Sequence, residues 1–489
     1  MPDIQVTNTL TRRKEQFSPQ VPGKVSMYVC GVTTYDQSHL GHARPAVVFD
    51  VIRRYLRLKG LDVYMVQNFT DVDDKIIARA NERGMDPLDL SRHYCQEYLQ
   101  NMEQLGVAPA DVYPKVSEHI PDIISMVAGL IEKGAAYQAG SDVYFAVESF
   151  PEYGKLSNQN LAELETGTRI AVDENKKNPL DFVLWKGAKP GEPSWESPWG
   201  IGRPGWHIEC STLARKYLGD TIDIHGGGVD LVFPHHENEV AQSEAFTGRA
   251  PFARYWLHNG LVNVSGEKMS KSLGNFISVA DALAQYPAGL VRFYILSHQY
   301  RTPVDFDPAK LVAAGKAWDK LNRTVWELEA SVTEQDWPGL PAVWEGAPAP
   351  QGELPQAIWQ AALRCDAALA DDFNTAAVVG ILFETVAAVR AMQGGAPTKG
   401  AQAGGTAIGL GVALGFLRAV AGDLLGVLAP PSQKQRDSGL TEQLIQLAVE
   451  LRTAARVRRD WAAADEIRQR LSSMGITLED TPEGTHWSF

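Results

Sequence analysis

Two histidines bracket Leu40-Gly41 in His39-Leu40-Gly41-His42, after the short apolar run Met27-Tyr28-Val29-Cys30 and before a stretch of helical spacing, Ala46 to Leu58. A loop leading from a strand into a helix offers backbone N–H groups and a helix N-terminus to phosphate. Imidazoles there can stabilise charge developing on a phosphoryl group, while Gly41 leaves room for a base or ribose. Taken alone, the tetrapeptide is a weak signal and is better read as two loop histidines making structural hydrogen bonds. Far along the chain stands Lys268-Met269-Ser270-Lys271-Ser272, followed by Leu273-Gly274-Asn275. Two lysines flanked by small residues make a cationic clamp suited to a pyrophosphate that gains charge as it leaves. An isolated pair of lysines is ordinarily a solvated loop, but the whole pentapeptide together with the histidine tetrapeptide is a specific combination.

A second constellation combines sulfur, nitrogen and oxygen. Cys30 ends the first apolar run, Cys210 lies in Gly205-Trp206-His207-Ile208-Glu209-Cys210, and Phe233-Pro234-His235-His236-Glu237-Asn238-Glu239 opens a helical stretch. His235 and Glu239 are spaced i, i+4 and share one helical face, and two thiolates would complete a tetrahedral zinc set. His236 with Glu239, at i, i+3, is a second such pair, and spacing does not choose between the histidines. Distant cysteines are also commonly small buried hydrophobes. Gly226-Gly227-Gly228 and Asp230 follow Thr221-Ile222-Asp223-Ile224, where glycines let adenosine approach and a carboxylate can accept from ribose hydroxyls.

These groups need a scaffold, and the pattern around them is that of alternating strands and helices. Met27 to Cys30 reads as a strand, Ala46 to Leu58 as a helix stopped by Gly60, Val63 to Val66 as a strand and Asp73 to Ala80 as a helix, which predicts a parallel sheet covered on both faces. The rhythm breaks at a Val143 to Val147 strand and a Gly, Pro and Lys-rich stretch, Asp173 to Gly205, so Val116 to Gly200 reads as an insertion. It resumes at Thr221 and in a helix from His236 to Phe246. From Pro308 the chain turns helical and Ala-rich. It is interrupted by a linker, Ser331 to Gln356, with five prolines, and by a Gly-rich break, Gly394 to Gly405. The segment Thr441 to Phe489 pairs an arginine-bearing helix with a strand signal at Ile476-Thr477-Leu478.

A chain of 489 residues exceeds one hydrophobic core, and at about 150 residues per domain three domains are expected. The chain is 44% hydrophobic and 21% charged, which excludes collagen-like and largely disordered classes. The opening segment lacks the apolar run of a secretory signal, and Gly400 to Leu417 reads as a buried helix, so no membrane is expected. Four cysteines fit no disulfide framework and point to a reducing cytoplasm. Cys95 and Cys365 read as structural thiols. The net charge of −13 argues against a surface built wholly for nucleic acid, yet Leu451 to Arg470 carries six arginines against three acids.

The histidine and lysine motifs together resemble the two signatures of class I aminoacyl-tRNA synthetases. Met27 to Asp36, Phe69 to Ile77, Gly205 to Ser211, His225 to Asp230, Phe233 to Glu239, Asp371-Asp372-Phe373-Asn374-Thr375 and the closing segments Asp460 to Arg468 and Leu478 to Thr481 narrow the resemblance to the cysteinyl-tRNA synthetases. Leu40 is the one small departure, standing where that family more often has Ile. The resemblance implies a Rossmann-like parallel-sheet catalytic domain (1–115 and 201–260) split by a connective insertion (116–200). It further implies a loop and stem-contact region (261–307), an α-helical tRNA-binding bundle (308–435) and a small C-terminal α/β anticodon-binding module (436–489).

It also implies an activity: ATP-dependent formation of cysteinyl-AMP from L-cysteine, and transfer to the 2′-hydroxyl of the terminal adenosine of tRNA(Cys). Cys30, Cys210, His235 and Glu239 would hold one Zn²⁺, which picks His235 over His236. Gly31, Thr70 and Trp206 would contact the amino acid, and Gly41, Gly226, Gly228, Asp230 and Lys271 the ATP with its Mg²⁺. His39, His42, Lys268 and Lys271 would act on the phosphates. The arginines Arg456 and Arg459 with Trp461 suit phosphate contact and stacking on unpaired bases. A monomer is the family's expectation. The physical case for zinc is selectivity, since an apolar pocket separates near-isosteres by only about 10 to 200-fold. A thiolate is a far better zinc ligand than a serine hydroxyl, so no editing domain is needed. A related ligase that joins cysteine to a small amine, as in mycothiol synthesis, would share these motifs but lack the C-terminal module.

Overall fold

Val25, Met27, Tyr28 and Val29 are all buried, as are Val63, Met65, Val66 and Phe69, continuous apolar runs that only a sheet covered on both faces can hide. They belong to β1 (Lys24–Thr33) and β2 (Asp62–Thr70), joined by α1 (Leu40–Leu58). After α2 (Trp206–Leu218) come β3 (Ile222–Gly228), α3 (Glu237–Thr247) and β4 (Ala253–Asn259). The computed structural model describes residues 3–159, 175–264, 266–268, 276–332, 337–393, 401–430, 433–481 and 484–488. The four strands form one parallel sheet in the order β4-β3-β1-β2. The chain winds outward from β1 to β2, then returns to the other side of β1 with β3. The crevice beyond the carboxyl ends of β1 and β3 is therefore the topological switch point, where such sheets bind ligands.

Between β2 and α2 the chain leaves this sheet. Helix Ile120–Glu132 and an antiparallel sheet ordered Ala136–Ala139, Asp142–Phe145, Phe182–Gly187 and Gly202–Pro204 form a layer of their own. Its core includes Phe145 stacked on Phe182 at 4.9 Å and the fully buried Trp185.

A bundle follows. Asp307 accepts from Ala309 N–H to cap Pro308–Ser331, with proline at the start where its missing N–H costs nothing. Helices Glu353–Ala370, Thr375–Gln393 and Ala401–Leu417 complete it. The expected linker from 331 to 356 is only partly a linker. Among its described residues is a short helix, Leu340–Trp344, whose Leu340, Val343 and Trp344 are buried, with Trp344 Nε1 donating to the Ala362 carbonyl at 3.0 Å. The prolines misled because Pro341 sits in a helix's first turn, where it is tolerated. Segments 375–393 and 407–424 are long and apolar enough to cross a membrane, but 44% and 67% of each is buried within the protein.

The chain divides into two compact units, Met1–Leu428 and Ala429–Phe489. The second holds helices Gln433–Val457 and Trp461–Ser473 and a hairpin, Thr477–Thr481 with Gly484–Ser488, around Ile445, Val449, Leu471, Ile476 and Leu478.

Helix α1, which carries the histidine motif at its start, is fixed by ions on its buried side. Asp50 lies 2.8 Å from the Arg292 guanidinium and 3.0 Å from that of Arg54, and both Asp50 and Arg292 are buried. Arg292 also donates to the Leu425 carbonyl at 3.0 Å, linking α1 to the bundle. Removing one partner of a buried pair strands the other charge, so Asp50→Ala is expected to cost about 3–5 kcal/mol in urea unfolding. A loss below about 1 kcal/mol would show that Arg292 finds another counter-charge.

Candidate active site

Every predicted site residue of the sheet lies at the carboxyl ends of β1, β2 and β3 or at the helix starts beside them. β1 slips in register between Val29 and Val32, where Cys30 and Gly31 stand. Gly31 has to be glycine, because a Cβ there would overlap the Asn68 carbonyl of β2. Gly226 is likewise pressed on the Phe49 ring of α1. Gly228 ends β3, and Asp230 follows in an exposed turn.

His39 caps α1 and stacks on His42 with ring centres 3.7 Å apart; both rings are half-buried. The Phe276 ring meets His39 edge-on at 5.3 Å, Leu40 N–H donates to the Ile277 carbonyl at 3.2 Å, and Val279 N–H to that of Ser38 at 2.9 Å. The histidine motif is thus tied to the residues that directly follow the lysine motif. On the other side of that motif, the Lys268 backbone pairs with Asn263. Residues 269–275, including Lys271, lie outside the described residues.

The sulfur and imidazole groups converge. Ligand atoms of Cys30, Cys210, His235 and Glu239 all lie within 4.8 Å of one another, and all four residues are buried. Cys30 Sγ is 3.7 Å from Cys210 Sγ and 3.5 Å from Glu239 Oε1, which is 3.0 Å from His235 Nε2. A π-type turn, Val232–His236, ahead of α3 aims His235 and Glu239 together. Residues around the set fix which atoms it offers. His207 Nδ1 meets His235 Nδ1 at 3.1 Å, and His225 Nε2 meets Glu239 Oε2 at 2.8 Å, leaving His235 Nε2 and Glu239 Oε1 facing the sulfurs. Trp206 stacks on His235 at 4.2 Å. A second set, Cys30, His225, His236 and Glu239, shares two members with the first. In it, His236 Nε2 is 3.2 Å from Cys30 Sγ, while His236 Nδ1 is engaged by His258 Nε2 at 2.8 Å.

The cluster polarises itself. Burial pushes the Cys30 thiol well up. Burial also acts to raise Cys210, but hydrogen bonds from Cys30 and His235 outweigh it and bring that thiol down to about 6. Against its burial, His235 is held up at about 10 by Glu239 and Cys210, and Glu239 is held down at about 2 by His225 and His235. Burial depresses His207 and His258 to about 3, keeping them neutral. Two soft sulfurs, an imidazole and a carboxylate, buried and oriented by neighbours, fit a tetrahedral zinc.

Sequence reasoning passed over several of these residues. His207, His225 and His258 carried the only available signal, a concentration of histidines between residues 207 and 258. Asn68 and Glu209 carried none. Thr70, buried at the end of β2, donates its hydroxyl proton to Glu209 Oε2 at 2.6 Å. In the second unit, Arg456, Arg459 and Trp461 are exposed, Trp461 at 59%, whereas Arg452 is buried.

The chain matches the family described as tRNA synthetases class I (C) catalytic domain over residues 16–316 and the DALR domain over residues 364–429. Its fold is similar to that of Mycobacterium tuberculosis methionyl-tRNA synthetase in complex with methionyl-adenylate, with a TM-score of 0.56 and 14% identity, covering 82% of this chain and 90% of that one. Parallel sheet, helical bundle and family match together define a class I aminoacyl-tRNA synthetase. Among relatives, the protein named Cysteine--tRNA ligase of Pelotomaculum thermopropionicum is 51% identical and that of Heliobacterium modesticaldum 49%, each over 99% of both chains. The chain belongs to the cysteine–tRNA ligase family.

Proposed function

We propose that the protein activates L-cysteine with ATP and charges tRNA(Cys) with it, selecting its substrate through a thiol-binding zinc held by Cys30, Cys210, His235 and Glu239. The observation that carries this reading is the buried convergence of those four side chains at the sheet's switch point, beside the histidine motif. Two sulfurs favour this set over the overlapping one with His225 and His236, which offers a single sulfur, because zinc takes thiolate readily. A zinc held by these four residues would supply one thing, a lowered pKa for a coordinating thiol, which would favour cysteine as thiolate.

The chain's own residues do the rest. Gly31, Thr70 and Trp206 enclose the amino acid. Gly41, Gly226 and Gly228 let ATP lie against the backbone, Asp230 accepts from its ribose, and Mg²⁺ accompanies the phosphates. The cysteine carboxylate attacks the α-phosphate in line, with His39 and His42 stabilising the charge that develops and Lys268 and Lys271 holding the departing pyrophosphate. No side chain forms a covalent intermediate. The 2′-hydroxyl of the terminal adenosine then takes the cysteinyl group from AMP.

The domain roles follow the same reading: insertion 116–200, stem-contact region 261–307, helical tRNA-binding bundle 308–435 and anticodon module 436–489. In the last, the exposed Arg456, Arg459 and Trp461 suit phosphate contact and base stacking. The enzyme works as a cytoplasmic monomer.

The test is transfer of labelled cysteine to unfractionated tRNA with ATP and Mg²⁺, with labelled serine as control. RNase-sensitive cysteine label without serine label is the expected result. Cysteine-dependent pyrophosphate exchange without any label on tRNA would instead indicate a ligase for a small amine.

A further inference from the structure

Gly31 and Thr70 of the proposed amino-acid site are joined by a buried chain of hydrogen bonds whose other members, Asn68 and Glu209, have no part in the mechanism above. Gly31 N–H donates to Asn68 Oδ1 at 2.9 Å, Asn68 Nδ2 reaches Thr70 Oγ1 at 3.5 Å, and Thr70 Oγ1 donates to Glu209 Oε2 at 2.6 Å. Asn68, Thr70 and Glu209 are 1%, 2% and 0% exposed. The chain begins next to Cys30 and ends next to Cys210, so it spans the two cysteine-bearing segments. Its terminal carboxyl is incomplete, because among the described residues Glu209 Oε1 has no hydrogen-bond partner. A buried acceptor without a donor is costly, which makes it a place where a ligand's donor is worth most.

The chemistry of that ligand follows from the directions of the bonds. A hydroxyl that has given its proton to a carboxylate presents only lone pairs to anything else, so Thr70 accepts. An amino acid's α-ammonium is all donors, with three N–H groups and a positive charge. We propose that Glu209 is a positioning residue for the substrate's α-ammonium: it fixes Thr70 as an acceptor and provides the counter-group, so that the enzyme takes an α-amino acid rather than any small thiol. Selection is then divided. The metal set reads the thiol, and Glu209 with Thr70 reads the ammonium. This inference rests on the cysteine-binding reading above and adds to it a second recognition element that spacing and motifs did not reveal.

The test compares two thiols on the zinc-loaded full-length protein: L-cysteine, and 3-mercaptopropionate, which keeps the thiol and carboxylate but lacks the ammonium. Dissociation constants are measured by calorimetry for wild type, Glu209→Gln and Thr70→Val, each checked for unchanged zinc content. Glu209→Gln is expected to weaken cysteine about tenfold or more while leaving 3-mercaptopropionate within about twofold. Thr70→Val, which keeps the carboxyl but removes its hydroxyl donor, gives the same pattern, and the double variant adds little, because the two side chains act as one unit. Equal weakening of both thiols, or unchanged cysteine binding in both variants, overturns the assignment of Glu209 while leaving cysteine recognition by the metal set intact. Failure of the wild-type protein to bind either thiol overturns both.

Discussion

Cys210→Ser abolishes cysteine activation while leaving ATP binding intact. Cys210 is the thiol that its surroundings bring down to about 6, despite burial, through Cys30 and His235. A hydroxyl at that position stays protonated and is a poor zinc ligand. Losing an outer-shell partner of a metal site costs about 10–100-fold in affinity or activity, and losing a ligand is expected to exceed that. Cysteine-dependent pyrophosphate exchange therefore falls by more than about 100-fold, with zinc lost in parallel. Cys95→Ser is the control: Cys95 is buried away from the set beside Thr34 and Ser91, and burial pushes its thiol up to about 11. A Cys210→Ser protein that retained zinc and full exchange would remove this residue from the metal set.

Lys271→Ala, and Lys268→Ala beside it, slow adenylate formation without loosening cysteine. The residue after the lysine motif, Phe276, abuts His39, and backbone hydrogen bonds join Ile277 and Val279 to the loop of His39. The described residues that follow the lysine motif are thereby tied to the histidine motif, which is why the proposed role of the lysines is on the phosphates. Removing a donor aimed at transition-state charge costs about 10²–10³ in kcat. Because the contact is made in the transition state, kcat falls while KM for cysteine stays within about a factor of two. An effect confined to the cysteine KM would place the lysines on the amino-acid side and contradict their role as a phosphate clamp. Single-turnover formation of cysteinyl-AMP separates the two outcomes.

The parallel sheet was legible because β1 carries the apolar run Met27–Cys30 ending at Gly31 and β2 the short run Val63–Val66, and sequence pattern reports such runs well. The convergence of the candidate ligands was partly legible because His235 and Glu239 sit one helical turn apart. Choosing His235 over His236 from sequence took family resemblance. The structure explains why spacing could not choose: both histidines lie near Glu239, at 3.0 and 3.9 Å, and both belong to a set that could hold a metal. Helix α3 shows a different limit. Glu237, Asn238, Glu239, Gln242, Ser243 and Glu244 are all buried, a pattern that composition reads as a solvated helix. All but Ser243 find a partner from elsewhere in the chain: Glu237 accepts from Ser157 N–H at 2.7 Å and Gln242 donates to the His207 carbonyl at 2.8 Å. Long-range polar pairing of this kind has no sequence period. Glu209 was missed for the same reason, since it lies on helix α2 while its partner Thr70 lies on strand β2.

Zinc K-edge X-ray absorption on the loaded enzyme, before and after cysteine, tests thiolate selection most directly. The number of sulfur ligands is expected to rise from the two of Cys30 and Cys210 to three with cysteine, and to stay at two with serine. A sulfur count that does not change when cysteine binds would contradict selection by thiolate, and would leave discrimination to the pocket walls alone.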